Sequence, residues 1–111
     1  MSTALRERIL AKDDLKRVPV EVPEWGETIH VRVMSGTQRD QFESAFLKDR
    51  STAMTRLVAL TACDEAGNLL FTEADVPALG HKSWTALQTI FNAAARLNKL
   101  SEKDVDELEK N

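Results

Sequence analysis

Cysteine, glycine and proline are scarce in this chain, and each shortage closes off a class of protein. Of 111 residues, one is cysteine, four are glycine and three are proline. A single thiol, Cys63, makes no internal disulfide, so the chain is no disulfide-stapled scaffold and reads as a protein of a reducing cytoplasm. The four glycines, Gly26, Gly36, Gly67 and Gly80, are isolated and leave no loop to cradle a phosphate. No stretch approaches the roughly 18 apolar residues of a membrane span. The opening MSTALRERIL also lacks the apolar segment of a signal peptide. Nor is there a basic stripe of the kind that neutralises phosphates. Neither nucleic acid nor membrane is an expected partner.

What remains is ordinary for a small globular protein: 42% apolar and 30% charged residues, enough for one modest core. The net charge of −3 is unevenly spread. Residues 1–17 hold five basic and three acidic side chains, whereas residues 101–111 hold five acidic and two basic ones. The two ends are weakly complementary, within one molecule or between neighbours.

Alternating apolar residues mark two strands. Val18, Val20 and Val22 share one face of RVPVEV, and Ile29, Val31 and Val33 share one face of the next run. They predict an antiparallel hairpin reversing near Gly26, with Pro19 confining the first strand to an edge. Two strands are barely stable alone, so helices must cover the valine face.

A helix is expected from about Thr37, capped with Asp40, burying Phe42, Ala45 and Phe46. The segment AMTRLVALTAC is apolar on most sides and should be the central buried helix. DEAGN then forms a turn, and LLF at 69–71 is a candidate third strand. Thr72 and Asp75 form a capping pair, stapled by Phe71 and Val76, for a short helix that Pro77 limits and Gly80 ends. Ser83 caps a longer helix whose stripe is Trp84, Leu87, Ile90, Phe91, Ala94 and Leu97 or Asn98. A last helix is expected from Ser101 to about Glu109.

Ahead of all this, Leu5, Ile9 and Leu15 give a narrow apolar edge to a segment that is helical or partly disordered, residues 1–16; residues 17–111 form the globular domain. The fold class is therefore α+β, mostly helical: a small antiparallel hairpin packed on four to five helices.

Catalytic constellations are missing from the pattern. His30 falls on the polar face of a strand and His81 in a loop, neither beside a residue suited to a triad or metal site. Cys63 reads as a small core residue. Asp104, Asp106, Glu107 and Glu109 read as a solvated helix face. No catalytic, cofactor-binding or metal-ligating residue is assigned, and the chain is not expected to be an enzyme.

Trp25 stands apart. It sits at a hairpin tip, where a large aromatic either folds back onto the body or anchors a partner, tryptophan being enriched at interface hot spots. Trp84, in its helical stripe, reads as core.

VPEWGETIHVRVMSGTQRDQFE at 22–43, CDEAGNLLFTEADVPALG at 63–80 and ARLNKLSEKDVDELEKN at 95–111 resemble, in order and spacing, the tail assembly chaperones of long, flexible-tailed (siphovirus-type) bacteriophages and prophages. The resemblance implies a non-enzymatic protein of the host bacterial cytoplasm, without cofactor and absent from the finished virion. Its implied partners are the tape measure protein, which it keeps soluble, and the major tail protein, which it helps to polymerise. It also implies self-association. Some relatives reach the major tail protein through a frameshifted, extended form; Glu109-Lys110-Asn111 is compatible with the slippery codons GAA AAA AAC. On this reading Trp25, Pro23, Glu24, Pro19 and Arg32 are the expected partner-binding residues, and Trp25→Ala should weaken assembly more than folding. The alternative is a small tail or head–tail connector subunit retained in the virion.

Overall fold

A computed structural model describes residues 2–100; the helix predicted from Ser101 and the frameshift site lie outside the described residues. Five α-helices and a three-stranded antiparallel sheet form the described part, a mostly helical α+β fold.

The hairpin forms where the alternation places it. Strands β1 (Arg17–Val22) and β2 (Glu27–Arg32) pair antiparallel, with Val18 opposite Val31 and Val20 opposite Ile29. Val22, Ile29 and Val31 are buried, and Val20 is half-buried against them. Burial fades toward Val18, which is exposed, because the helices cover only the tip half of the β1 face.

β1 is the edge, as Pro19 requires. Val33 donates its backbone N–H to the Lys16 carbonyl at 2.8 Å. Bonded and non-bonded pairs alternate along an antiparallel ladder, so Arg17, Pro19 and Glu21 turn their amide positions outward. The donor that proline lacks therefore falls on the solvent side.

Helix α2 (Gly36–Lys48) starts two residues before the position expected from Thr37 and Asp40. Ser35 and Gln38 form the capping box instead. Gln38 wins because its amide also accepts from Arg32 and donates to the Leu60 carbonyl, contacts that no local spacing reveals. Phe42 is buried and Phe46 half-buried beside it, their ring centroids 6.3 Å apart. A single 3-10 turn, Arg50–Thr52, breaks the helical run.

Helix α3 (Ala53–Thr61) is the central element, with Leu57 and Val58 fully buried, and it packs on α2 and on α5 (Trp84–Leu97). Its last expected turn peels away: Ala62 and Cys63 form β3 and pair with Val31 and His30. The third strand thus comes from these two residues and not from LLF, of which only Leu69 makes an isolated bridge, to Cys63. Strand pairing beside β2 outweighs helix propensity here: Ala62 and Cys63 are fully buried, and pairing with β2 satisfies backbone groups that water cannot reach.

Thr72 and Asp75 cap as expected, the Asp75 carboxylate accepting from the Thr72 N–H at 2.8 Å, and Phe71 and Val76 both join the core. A 3-10 turn, Glu73–Asp75, leads into the one-turn helix α4 (Val76–Leu79). Pro77 lies within its first turn, where a missing N–H costs nothing, and so does not limit it.

Helix α5 is capped by Ser83 and buries Leu87, Ile90, Phe91 and Ala94 against α3 and the sheet. Its end is closed without glycine. Lys99 takes φ +56°, and Leu100 and Lys99 donate to the Ala95 and Arg96 carbonyls. Asn98 accepts from the Met34 N–H at 2.8 Å, tying the end of α5 to the end of β2. Helix α1 (Ser2–Leu10) forms on the N-terminal segment, with Leu15 beyond it, and the residues from Thr3 to Leu10 are all exposed.

Candidate interaction surface at the hairpin tip

Pro23, Glu24 and Trp25 form one turn of 3-10 helix between β1 and β2. Proline starts such a turn readily, since its fixed φ suits a first helical position. Gly26 ends it at φ +62°, a left-handed conformation that glycine adopts without strain. The turn swings Trp25 back, so that its indole is half-buried against the core.

Glu24 fixes the turn to the body. Its carboxylate accepts a hydrogen bond from the Thr85 hydroxyl at 2.6 Å, in the first turn of α5. That bond, with one from its own backbone N–H, holds the Glu24 pKa below the usual glutamate range. The hairpin tip and the N-terminus of α5 therefore form one end of the molecule.

Trp84 belongs to this same end, next to Thr85, and is 61% exposed. The expectation that it is core is overturned. Its spacing with Leu87 and Phe91 is helical, but it is the first residue of α5. Side chains of a helix lean toward its N-terminus, so the first turn projects past the core it would otherwise join. Of the two outcomes open to Trp25 the structure shows the first, packing onto the body, while Trp84, expected in the core, faces water. A position at the first helical residue after a Ser cap was the signal in the sequence that distinguished Trp84 from the stripe.

Pro19 is exposed on the open edge of β1. Arg32 lies elsewhere, at the far end of β2 from the tip, opposite Arg17. Its guanidinium donates to the Gly67 carbonyl at 2.7 Å and to Gln38 Oε1 at 3.1 Å. Arg17 donates to the neighbouring Glu65 carbonyl at 2.8 Å. These paired arginines grip the Asp64–Asn68 turn, in which Asp64 Oδ1 accepts from the Ala66 and Asn68 N–H groups. The Asn68 amide bond leads the causes that keep the Asp64 carboxyl below its usual pKa. Of the five expected residues, Pro23, Glu24 and Trp25 share the tip, Pro19 stands on the adjoining edge, and Arg32 is a strut at the opposite end.

Groups that would support catalysis are dispersed. Cys63 is fully buried, which pushes its thiol pKa up, away from a reactive thiolate. Among the described residues no three His, Cys, Asp or Glu side chains cluster as a metal site, and no helix is long and apolar enough to cross a membrane.

No family model matches the chain, and no curated protein matches it in sequence. A solved structure does match in shape: the bacteriophage HK97 tail assembly chaperone, with a TM-score of 0.64 over 92% of this chain and 97% of that one. This chain has the fold of a tail assembly chaperone. The likeness spans nearly the whole of both chains. At 19% identity the likeness is one of fold.

Proposed function

We propose that this protein is a non-enzymatic bacteriophage tail assembly chaperone. It binds the tape measure protein in the host bacterial cytoplasm, keeps it soluble, and promotes polymerisation of the major tail protein around it. The observation that carries this reading is the fold shared with the HK97 tail assembly chaperone across 92% of the chain. The three ordered motifs at 22–43, 63–80 and 95–111 support it independently, since they resemble the same family in sequence.

The partner-contacting face in this reading is the hairpin-tip end, with Pro23 and Glu24 on the turn, Pro19 on the edge beside it, and Trp84 as the exposed aromatic anchor. Trp25 supports the turn from beneath while presenting its free edge. Arg32 acts at a distance, by fixing β2. Self-association in several copies along an elongated partner completes the proposal.

Co-expression with the tape measure protein of the same tail gene cluster tests it, followed by size exclusion with light scattering. The expected outcome is a soluble complex with several copies of this chain per tape measure protein, and an insoluble tape measure protein without it. A tape measure protein that is soluble alone and elutes apart from this chain overturns the reading, and detection of the chain in purified virions would then identify a retained tail or connector subunit.

A further inference from the structure

Beyond Leu100 the sequence predicts a helix from Ser101 to about Glu109, and the order of its residues sets the kind of surface such a helix fits. At helical spacing Val105 and Leu108 share one face. Asp104 borders that face on one side and Glu102 and Glu109 on the other, while Lys103 and Lys110 fall on the far side. The aliphatic stripe thus has carboxylates on both flanks and no cation beside it. Its complement is an apolar groove with a basic rim.

Such a groove lies at the end of the molecule opposite the hairpin tip, where β2 leads into α2 and α5 stops. Its volume is about 440 Å³, and Val33, Met34 and Leu97 give it an apolar lining. Three separate parts of the chain bring cations to it, Lys16 ahead of β1, Arg39 on α2 and Lys99 after α5, against the single carboxylate of Asp14. Arg39 shares its charge with Glu43, 2.9 Å from its Nε, but neither Lys16 nor Lys99 is in an ion pair among the described residues. The chain also arrives at the right place. Lys99 is itself part of the groove wall, and Leu100, the next residue, is partly buried against the core. Leu100 and Val105 stand where a hydrophobic staple joins the entry of a helix to its first turn, so a helix begun at Ser101 starts beside the groove.

We infer that residues 101–111 fold back on their own chain and lie across this groove, Val105 and Leu108 on Val33, Met34 and Leu97, and Asp104 and Glu109 toward Lys16, Arg39 and Lys99. The occupant is segment 101–111 of the same chain. It is attached at the groove wall, so the loop to be closed is short and its ordering cost small. Opposite charges steer the segment to this groove and fix the face it presents. The acidic segment is thereby held away from the hairpin tip, whose surface stays free. The inference is independent of which partner that tip meets.

A nitroxide on an Asn111→Cys chain tests it, read as the loss of amide signal that the label causes in nitrogen-15 spectra; the native Cys63 is fully buried and escapes labelling. The expected result is that the amides of Lys16, Val33, Met34 and Arg39, all distant in sequence from the label, lose most of their intensity. They should recover when Leu108→Asp breaks the aliphatic stripe, and again when Lys16→Glu with Lys99→Glu reverses the charge of the groove. Unchanged signals from the remaining amides establish that both variants are folded. Loss confined to residues 97–100, or centred on the hairpin tip, overturns the inference, and so does loss at the groove that persists in either variant. A second sample mixes nitroxide-bearing chains at natural isotope abundance with nitrogen-15 chains that carry no label. Loss at the groove in that mixture overturns the inference too, because the segment would then lie on a second copy. No tail protein is present, so failure here leaves the tape measure reading standing, and failure of co-expression leaves this contact untouched.

Discussion

An indole left in water forgoes the stabilisation that burial would give it, and Trp84 does so at the end of a helix whose other large residues are buried. Trp25, by contrast, covers core atoms while spanning a turn. Truncation should separate the two. Trp25→Ala is expected to cost about 2 kcal/mol of unfolding free energy, less than the figure for a fully buried aromatic because part of the side chain already meets water. Trp84→Ala should stay within about 0.5 kcal/mol of the parent, as surface substitutions do. Urea denaturation checks both. The same two variants, added to the co-expression assay, should show the reverse order for partner binding, with Trp84→Ala the more damaging. Sequence spacing assigned Trp84 to the core, because helical periodicity says which side of a helix a residue is on and not whether the core extends as far as its first turn; Trp25 it left open.

Gln38 shows how one element is bound to two others. Its side chain accepts from the Ser35 N–H at 2.9 Å and from Arg32 at 3.1 Å, and donates to the Leu60 carbonyl at 3.2 Å. It therefore joins the α2 cap to β2 and to the end of α3. Removing the Ser35 hydroxyl deletes one cap bond, and Ser35→Ala should cost about 1 kcal/mol. Gln38→Ala leaves the Leu60 carbonyl and an Arg32 N–H without partners in a poorly hydrated place, and should cost about 2–3 kcal/mol. Thermal or urea unfolding of the two variants should preserve that order; equal losses would mean that Gln38 does no more than cap. Elements of this kind were legible to unequal degrees. The hairpin, its edge at Pro19, the buried α3 and the caps at Thr72 and Ser83 rest on neighbours close in sequence, and the chain declares them. The start of α2 depends on Arg32 in the strand before it and on the distant Leu60, and the identity of β3 on the distant His30 and Val31, so local spacing placed the first two residues late and the second on LLF. Of the candidate surface, the sequence drew attention to the tip through Trp25, while the exposure of Trp84 and the hydrogen bonds of Arg32 to Gly67 and Gln38 needed the fold.

At the scale of the whole molecule the described residues measure 51 × 32 × 27 Å, an elongated body with an N-terminal helix that covers none of its core. Deleting residues 2–10 should therefore leave the melting temperature, read at low micromolar concentration, within about 2 °C of the parent. A large drop would mean that α1 packs on its own chain. The open edge of the sheet has a further consequence. A foreign strand laid along β1 would meet an amide donor at Arg17, none at Pro19, and the next only at Glu21, about 13 Å along. Such a ladder has a missing rung at its centre, so fibril growth has no continuous template there. The sheet can then keep this edge uncovered in a crowded solution without seeding the edge-to-edge stacking that turns dispersed chains into a gel.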